Sequence, residues 1–494
     1  MPGAARKLVS RTVSKEHAVR SWTRVAVAGV IGALLAGAAS LVLVLLSITG
    51  SGNPRAPEYL PLGWSATLVL LLVVGLAAAI RRVNLTTTRG VPWLVGGLSF
   101  AVSFLPWWGL AGNNPDLGTL IYRGLRVPQG IVQFWDLSLV LESIDCARFG
   151  FDIYVDNNGC LQDASIYAPG MVWLQYVPGR IFSEANVQVL GVAMIVISSL
   201  VLLWLARQSQ GIGQLLLVVA AVGGPWLLLL ERGNVDAVLL WAAAAAVLLV
   251  RRWDSLAVWS VAAAILWLVG TWKYYPFALG VMLLPVLRLR RGWIVLVGYA
   301  GATLAYLVAT WDNVLLSLGA SGEMVDLGDY VVLGRVPVVA RMLGTDAAAG
   351  GWQFGDFLLL ALALLAAVAG FAVGRIIGTR RPWLAMLAAG VTAMYLASVL
   401  IAGFGYAYKA TFLLLAVPML SRLPASRSRV VASSGLGALL LIGVQSVVVW
   451  NTVLATLAGL LAASFALGLA GAVLWSASVG ASARDTSRRL AARA

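Results

Sequence analysis

GQLLLVVAAVGGPWLLLLERGNVDAVLLWAAAAAVLLVRR, residues 213–252, holds two apolar runs, 213–230 and 235–250, joined by Glu231-Arg232-Gly233-Asn234-Val235-Asp236. Each run approaches the ~20 residues that an α-helix needs to cross about 30 Å of hydrocarbon. Barrel strands alternate apolar and polar residues, and these runs do not. The stretch therefore reads as two membrane helices joined by a tight polar turn and closed by Arg251 and Arg252.

The same pattern continues in both directions. The chain has 494 residues, 61% hydrophobic and 11% charged, with a mean hydropathy of +0.90, which excludes an ordinary soluble domain. Expected spans are 24–48, 63–80, 92–111, 184–206, 213–230, 235–250, 255–272, 276–288, 293–311, 354–374, 384–402, 410–422, 430–450 and 452–475. That makes an all-α polytopic bundle of about fourteen spans. Spans 276–288 and 410–422 are short for a full crossing, which implies thinning, extension into flanking residues or a partly buried path. The chain reads as a basic cytoplasmic segment 1–23, one membrane domain 24–476 and a basic cytoplasmic tail 477–494. The basic start lacks the short apolar core and cleavage site of a secretory signal peptide, so span 24–48 reads as an anchor.

The net charge of +15 does not point to nucleic acid once the charges are placed. Arginines cluster in short connections such as Arg81/Arg82/Arg89, Arg251/Arg252, Arg288/Arg290/Arg291 and Arg375/Arg380/Arg381, the positive-inside pattern of cytoplasmic loops. That threading puts both termini in the cytoplasm, roughly 25 of the 35 Lys and Arg inside and about 17 of the 20 Asp and Glu outside. Acidic residues hardly direct topology, so their outward bias marks a working outer face. Two outer loops, 112–183 and 312–353, are too long for connectors. Trp135 to Cys146 and Val336 to Leu343 read as short interfacial helices within them.

Candidate chemistry gathers on this face. Asp136, in Phe134-Trp135-Asp136-Leu137, is a carboxylate at interface depth, suited to general-base work; it also fits a helix N-cap. In the turn, Gly233 permits a sharp reversal, Asn234 or Asp236 can cap the next helix, and Arg232 can grip a phosphate, while Glu231 and Arg232 also make a plausible structural pair. Lys273, in Trp272-Lys273-Tyr274-Tyr275-Pro276, breaks the positive-inside trend and suits a lipid phosphate; snorkelling to the interface is the other reading. Tyr406, Tyr408 and Lys409 repeat the aromatic-plus-lysine arrangement. Tyr167-Ala168-Pro169-Gly170 and the run Met171 to Val177 fit a segment lining a cavity. Cys146 and Cys160, the only two cysteines, share one outer loop and fit a disulfide. The single histidine, His17, falls inside, and no metal-ligand set is formed. No Walker A, dinucleotide fingerprint or nucleophile elbow occurs in the sequence.

In this order the motifs resemble the GT-C superfamily of integral-membrane glycosyltransferases, and within it the polyprenol-phosphate-mannose-dependent branch with the phosphatidylinositol-mannoside mannosyltransferases of actinobacteria. The branch has an aspartate in its first long outer loop, a Tyr-Pro-Pro segment, a tight Gly-Gln/Asn-hydrophobic-Asn turn and a Lys-x-x-Pro at a helix end. Here these correspond to Phe134–Leu137, Tyr167–Pro169, Arg232–Asp236 and Lys273–Pro276, with Ala168 replacing the first proline and Asp236 the final asparagine. The resemblance implies Asp136 as general base and Arg232 and Lys273, helped by Lys409, on the donor phosphate. Glu231, Asn234, Asp236, Tyr167 and Tyr274 would line the donor and acceptor cavity. It further implies a polyprenyl-phosphate sugar as donor (mannose first, arabinose next) and an envelope glycolipid or glycan as acceptor. Membrane lipids are the surroundings, with no nucleic acid partner and no cofactor or metal, and the site faces outward from a bacterial plasma membrane. The rival class is a lipid or sugar transporter, which calls for broken helices meeting at mid-membrane.

Overall fold

A computed structural model describes residues 90–110, 133–154, 160, 167–210, 212–316, 354–377, 382–400, 407–421, 460–461 and 463–474. All lie in one compact unit, Thr86–Ala494. The expected segment 1–23, spans 24–48, 63–80 and 430–450, the helix at 336–343, Tyr406 and the tail 477–494 fall outside the described residues. Among those described, the chain is all-helical with no strand.

The helices are α1 (Gly90–Trp108), α2 (Trp135–Arg148), α3 (Val187–Gln208), α4 (Ile212–Ala221), α5 (Gly224–Glu231), α6 (Asp236–Arg252), α7 (Leu256–Gly270), α8 (Gly292–Ala309), α9 (Phe354–Ile377), α10 (Pro382–Leu400) and α11 (Val417–Leu420). Two long 3-10 helices, Tyr275–Arg288 and Ala407–Ala416, lie among them, with a short one at Pro169–Tyr176 and a further apolar helix at Ala463–Leu474. Helices Gly90–Trp108, Glu184–Gln208 (a short turn running into α3) and Gly292–Ala309 are each long and apolar enough to cross a bilayer.

Contacts at both ends fix the up-and-down order. α6 runs from Asp236 to Arg252, about 25 Å at 1.5 Å per residue. The chain returns through α7, so that Lys273 meets Asp236 again at 2.6 Å. The next element runs back to Arg288, which pairs with Asp254 at the far end. α10 begins with Trp383 under Arg251 and ends with the Ser398 carbonyl near Lys409. α1 begins with Trp93 under Arg207 and ends with Trp107 donating to Gln188 at the start of α3. One end thus collects Asp136, Asp236, Lys273 and Lys409, and the other Arg207, Arg251, Asp254 and Arg288.

The two segments expected as short spans take an extended helical form. Both wind as 3-10 helix, Tyr275–Arg288 over 14 residues and Ala407–Ala416 over 10 before α11. At about 2.0 Å rise per residue the first covers roughly 28 Å, close to a full hydrocarbon thickness. Pro276 and Pro285 lie in the first and Pro418 just after the second, where proline removes amides that an α-ladder would use.

The core is apolar, and so is much of the exterior. Trp93, Leu94, Phe100 and Leu105 of α1 and Trp293, Val297, Leu304 and Val308 of α8 are exposed, Val308 at 69%. Apolar faces of this extent need lipid. Inside, small and hydroxylated residues bring backbones together. Ser99 and Ser199 share a 3.0 Å hydrogen bond between α1 and α3, and Trp226 donates to Ser99 at 2.9 Å.

Candidate functional site

The sequence 231–236 is expected to reverse the chain tightly, and the structure shows why the turn is instead a bend of 105° between Pro225–Glu231 and Asp236–Arg252. The preceding span is broken: Gly223 is extended (φ −79, ψ 143), dividing it into α4 and the short, tilted α5. α5 then points its last carbonyls at the start of α2. Phe134 N donates to the Glu231 carbonyl at 2.9 Å, and Asp136 N and Leu137 N to the Arg232 carbonyl at 3.0 and 3.2 Å. Amides left over at one helix start thereby satisfy carbonyls left over at another helix end. Two glycines make the junction: Gly233 at φ +60, where a Cβ would press on Leu137 and Phe134, and Gly191, whose bare face receives the Phe134 ring.

This junction decides the role of Asp136. The residue before α2 is Phe134, left-handed at φ 58 and ψ 38, and no side chain caps the helix. Asp136 is the second helical residue, and its carboxylate turns away to other side chains. Arg232 Nη1 lies 3.3 Å from Oδ1, and Asn234 Nδ2 donates to Oδ2. Both side chains of the ion pair keep some access, 17% for Asp136 and 18% for Arg232. Glu231 is buried, with Oε2 3.8 Å from Arg232 Nε, so the guanidinium engages Asp136 more closely than its neighbour in sequence.

Asn234 connects this carboxylate to a second one. Its Nδ2 donates also to the Tyr408 hydroxyl at 3.0 Å, and its Oδ1 accepts from Asp236 N at 2.9 Å and Lys273 Nζ at 3.1 Å. The Asn234–Asp236 bond closes an Asx turn just before α6, whose cap position is Val235 and carries no side-chain cap, so neither Asn234 nor Asp236 caps the helix. Asp236 is fully buried. Its Oδ1 accepts from both Lys273 Nζ, at 2.6 Å, and the Tyr275 hydroxyl, at 2.5 Å, while Oδ2 has no hydrogen-bond partner among the described residues. Lys273 does not snorkel; it turns inward to Asp236, with its ammonium 5.3 Å from the Tyr167 ring centroid. Lys409, also buried, sits 5.2 Å from the Tyr275 ring centroid. Three carboxylates (Asp136, Glu231, Asp236) and three cations (Arg232, Lys273, Lys409) thus meet at one end of the bundle.

Tyr167 is delivered by backbone docking. Ala168 N donates to the Trp272 carbonyl at 3.0 Å and Gly170 N to the Thr271 carbonyl at 3.1 Å, with the Tyr306 hydroxyl bridging Gly170 N and the Thr271 carbonyl. A Cβ at Gly170 would overlap Thr271. From the other side, the Tyr154 hydroxyl donates to the Tyr167 carbonyl at 2.8 Å. Tyr154 packs with Ile153 and with Cys146, whose disulfide to Cys160 (Cα–Cα 6.0 Å) closes this layer.

No family model, characterised protein or solved structure matches this chain.

Geometry alone therefore carries the reading. Of the residues singled out in the sequence, Asp136, Arg232, Asn234, Asp236, Lys273 and Tyr167 form one connected cluster, Glu231 borders it, and Lys409 joins through Tyr275. Tyr274 places its ring beside Tyr306, at 6.4 Å between centroids. Its neighbour Tyr275 supplies the hydroxyl on Asp236, a role sequence inspection misses because adjacent tyrosines look equivalent until the helix phase is known. Tyr408 was marked only by its lysine neighbour. At the far end of α2, Asp145 clamps the outer segment, accepting from Ser183 Oγ and Glu184 N while pairing with Arg148. Burial opposes its charge, but these donors outweigh it and hold Asp145 below the ordinary carboxylate range.

Proposed function

We propose that the chain is an integral-membrane glycosyltransferase of the GT-C type, with about fourteen spans and its site facing away from the cytoplasm. It transfers a sugar, mannose before arabinose, from a polyprenyl-phosphate donor to an envelope glycolipid or glycan. The observation that carries this reading is Asp136: a partly accessible carboxylate oriented by Arg232 and Asn234, within the same cluster as the cations Lys273 and Lys409. In the proposed reaction Asp136 takes the proton of the acceptor hydroxyl, whose oxygen attacks the anomeric carbon. The carbon–oxygen bond to phosphate breaks, the polyprenyl phosphate leaves with the electron pair, and configuration inverts. Arg232, Lys273 and Lys409 favour the charge developing on the leaving phosphate. The donor's tail stays in lipid, and neither a metal nor a cofactor enters the scheme.

The test is transfer from decaprenyl-phosphate mannose and, separately, decaprenyl-phosphate arabinose to an acceptor lipid extract, comparing the wild type with Asp136→Asn. Loss of about 10²–10⁴-fold in rate from one donor is the expected outcome for a missing general base. Undiminished transfer by Asp136→Asn removes the residue from that role.

One observation favours a transporter instead: the broken pair at 105° and the two 3-10 spans are the interrupted helices that class uses. Counterflow of a labelled lipid-linked sugar in proteoliposomes, with no glycosidic product in either donor assay, would decide for it.

A further inference from the structure

Away from the carboxylate cluster, the opposite end of the bundle is built from arginine and tryptophan. The Arg207 guanidinium, near the end of α3, lies 4.6 Å from the Trp93 ring centroid. Arg251, near the end of α6, lies 4.7 Å from the Trp383 ring centroid. Trp204, one turn before Arg207 on α3, packs against Trp383 with the rings tilted and 6.0 Å between centroids. Trp93, Arg207, Trp204, Trp383 and Arg251 therefore form one continuous surface across α1, α3, α6 and α10. Both arginines are exposed, and neither takes part in an ion pair among the described residues. Arg288 differs, since its charge is matched by Asp254.

We propose that this surface is a clamp for an anionic phospholipid in the adjoining leaflet. A tryptophan face covering one side of a guanidinium holds the plane of the group and leaves its N–H edges for a phosphate, the geometry in which arginine donates two hydrogen bonds at once. Trp93, exposed at 62%, offers apolar area where glycerol and the upper acyl chains lie. Charge selects among lipids. Arg207, Arg251, Arg252, Arg288, Arg290 and Arg291 face a single carboxylate, Asp254, at this end of the described chain, so a lipid of net negative charge is preferred over a zwitterion. The clamp is independent of the transferase reading, because it uses none of the residues of the carboxylate cluster.

The experiment is lipid binding to the full-length protein in detergent, read by native mass spectrometry and by the shift in unfolding temperature. Phosphatidylglycerol, phosphatidylcholine and water-soluble glycerol phosphate are compared. Phosphatidylglycerol is expected to stay bound and raise the unfolding temperature, and phosphatidylcholine to do neither. Arg207→Gln/Arg251→Gln is expected to weaken phosphatidylglycerol by roughly tenfold, the loss of bidentate contacts to one phosphate. Arg290→Gln/Arg291→Gln, which removes equal charge at the same end, is expected to change it little. Should the first variant not fold, Arg207→Lys/Arg251→Lys keeps the charge but loses the planar fork, and the same weakening is expected. Equal binding of the two lipids, equal loss in the Arg290/Arg291 variant, or binding of glycerol phosphate as tight as of the lipid would each overturn the clamp.

Discussion

Lys273 and Asp236 at one end of the bundle, and Arg288 and Asp254 at the other, are each a cation hydrogen-bonded to a carboxylate, at 2.6 and 2.5 Å. Their surroundings differ. Asp236 has no solvent access and Lys273 keeps 13%, whereas Asp254 keeps 47% and Arg288 26%. Around the first pair lie Tyr275, Asn234, Tyr167 and a second carboxylate–arginine pair; around the second lies Trp259, which donates to Asp254 at 2.9 Å. The exposed pair loses little hydration and gains little. The buried pair loses much of its hydration, and only the neighbouring donors make that tolerable. The bundle accepts such a cost at one end only, and there it leaves an oxygen of Asp236 without a donor among the described residues.

The largest effect that this contrast predicts follows from removing half of the buried pair. Asp236→Ala leaves Lys273 without its carboxylate, and the expected loss is about 3–5 kcal/mol of stability, measured by equilibrium unfolding in detergent. Asp236→Leu together with Lys273→Met removes both charges and is expected to recover most of that loss while abolishing transfer. A loss below about 1 kcal/mol for Asp236→Ala would place the pair among surface bridges and end the contrast between the two ends.

Much of the apolar architecture can be read directly from the chain. Runs such as 184–206 and 235–250 declare helices because no other backbone satisfies itself in lipid, and α3 and α6 follow them. The Lys273 and Asp236 positions were visible as charges out of place. Hidden from the sequence were three things set by helix phase and backbone path. The 3-10 winding of Tyr275–Arg288, which packs against α7, α8 and α10, is not announced by Pro276 and Pro285 alone. The bend at Gly223 looks like any glycine pair in a membrane helix. The docking of Ala168 and Gly170 on Thr271 and Trp272 joins segments about a hundred residues apart through backbone atoms, which leave no side-chain signature beyond the glycine itself.

That docking supplies the intermediate prediction. Gly170→Ala drives a methyl into Thr271, which is expected to cost about 1–3 kcal/mol as an overpacked contact. It also shifts Tyr167 off Lys273, raising the apparent donor KM more than it lowers kcat. Gly298→Ala on α8 is the matched control, because nothing lies within 4 Å of its added carbon and alanine in a helix is favoured by roughly 0.5–1 kcal/mol. Opposite signs for the two substitutions in thermal unfolding would localise the strain to the docked segment; equal signs would mean that Gly170 has room to move and that Tyr167 is not held by it.

The smallest effect belongs to the exposed pair. Burial disfavours the Asp254 charge, but the Arg288 guanidinium and the Trp259 indole outweigh it, holding the carboxyl below its ordinary value of 3.8. A carboxyl lowered in the folded state contributes stability that is whole above the unfolded value and is lost as pH falls through the folded one. At neutral pH Asp254→Asn is therefore expected to destabilise by about 0–1 kcal/mol, less at high salt. Below pH 3.8 the difference between wild type and variant is expected to shrink toward zero. Unfolding of both proteins across an acid titration checks it. If the Asn variant instead costs as much as breaking Lys273 from Asp236, solvent access does not separate the two ends, and the charge balance of the carboxylate cluster needs another physical cause.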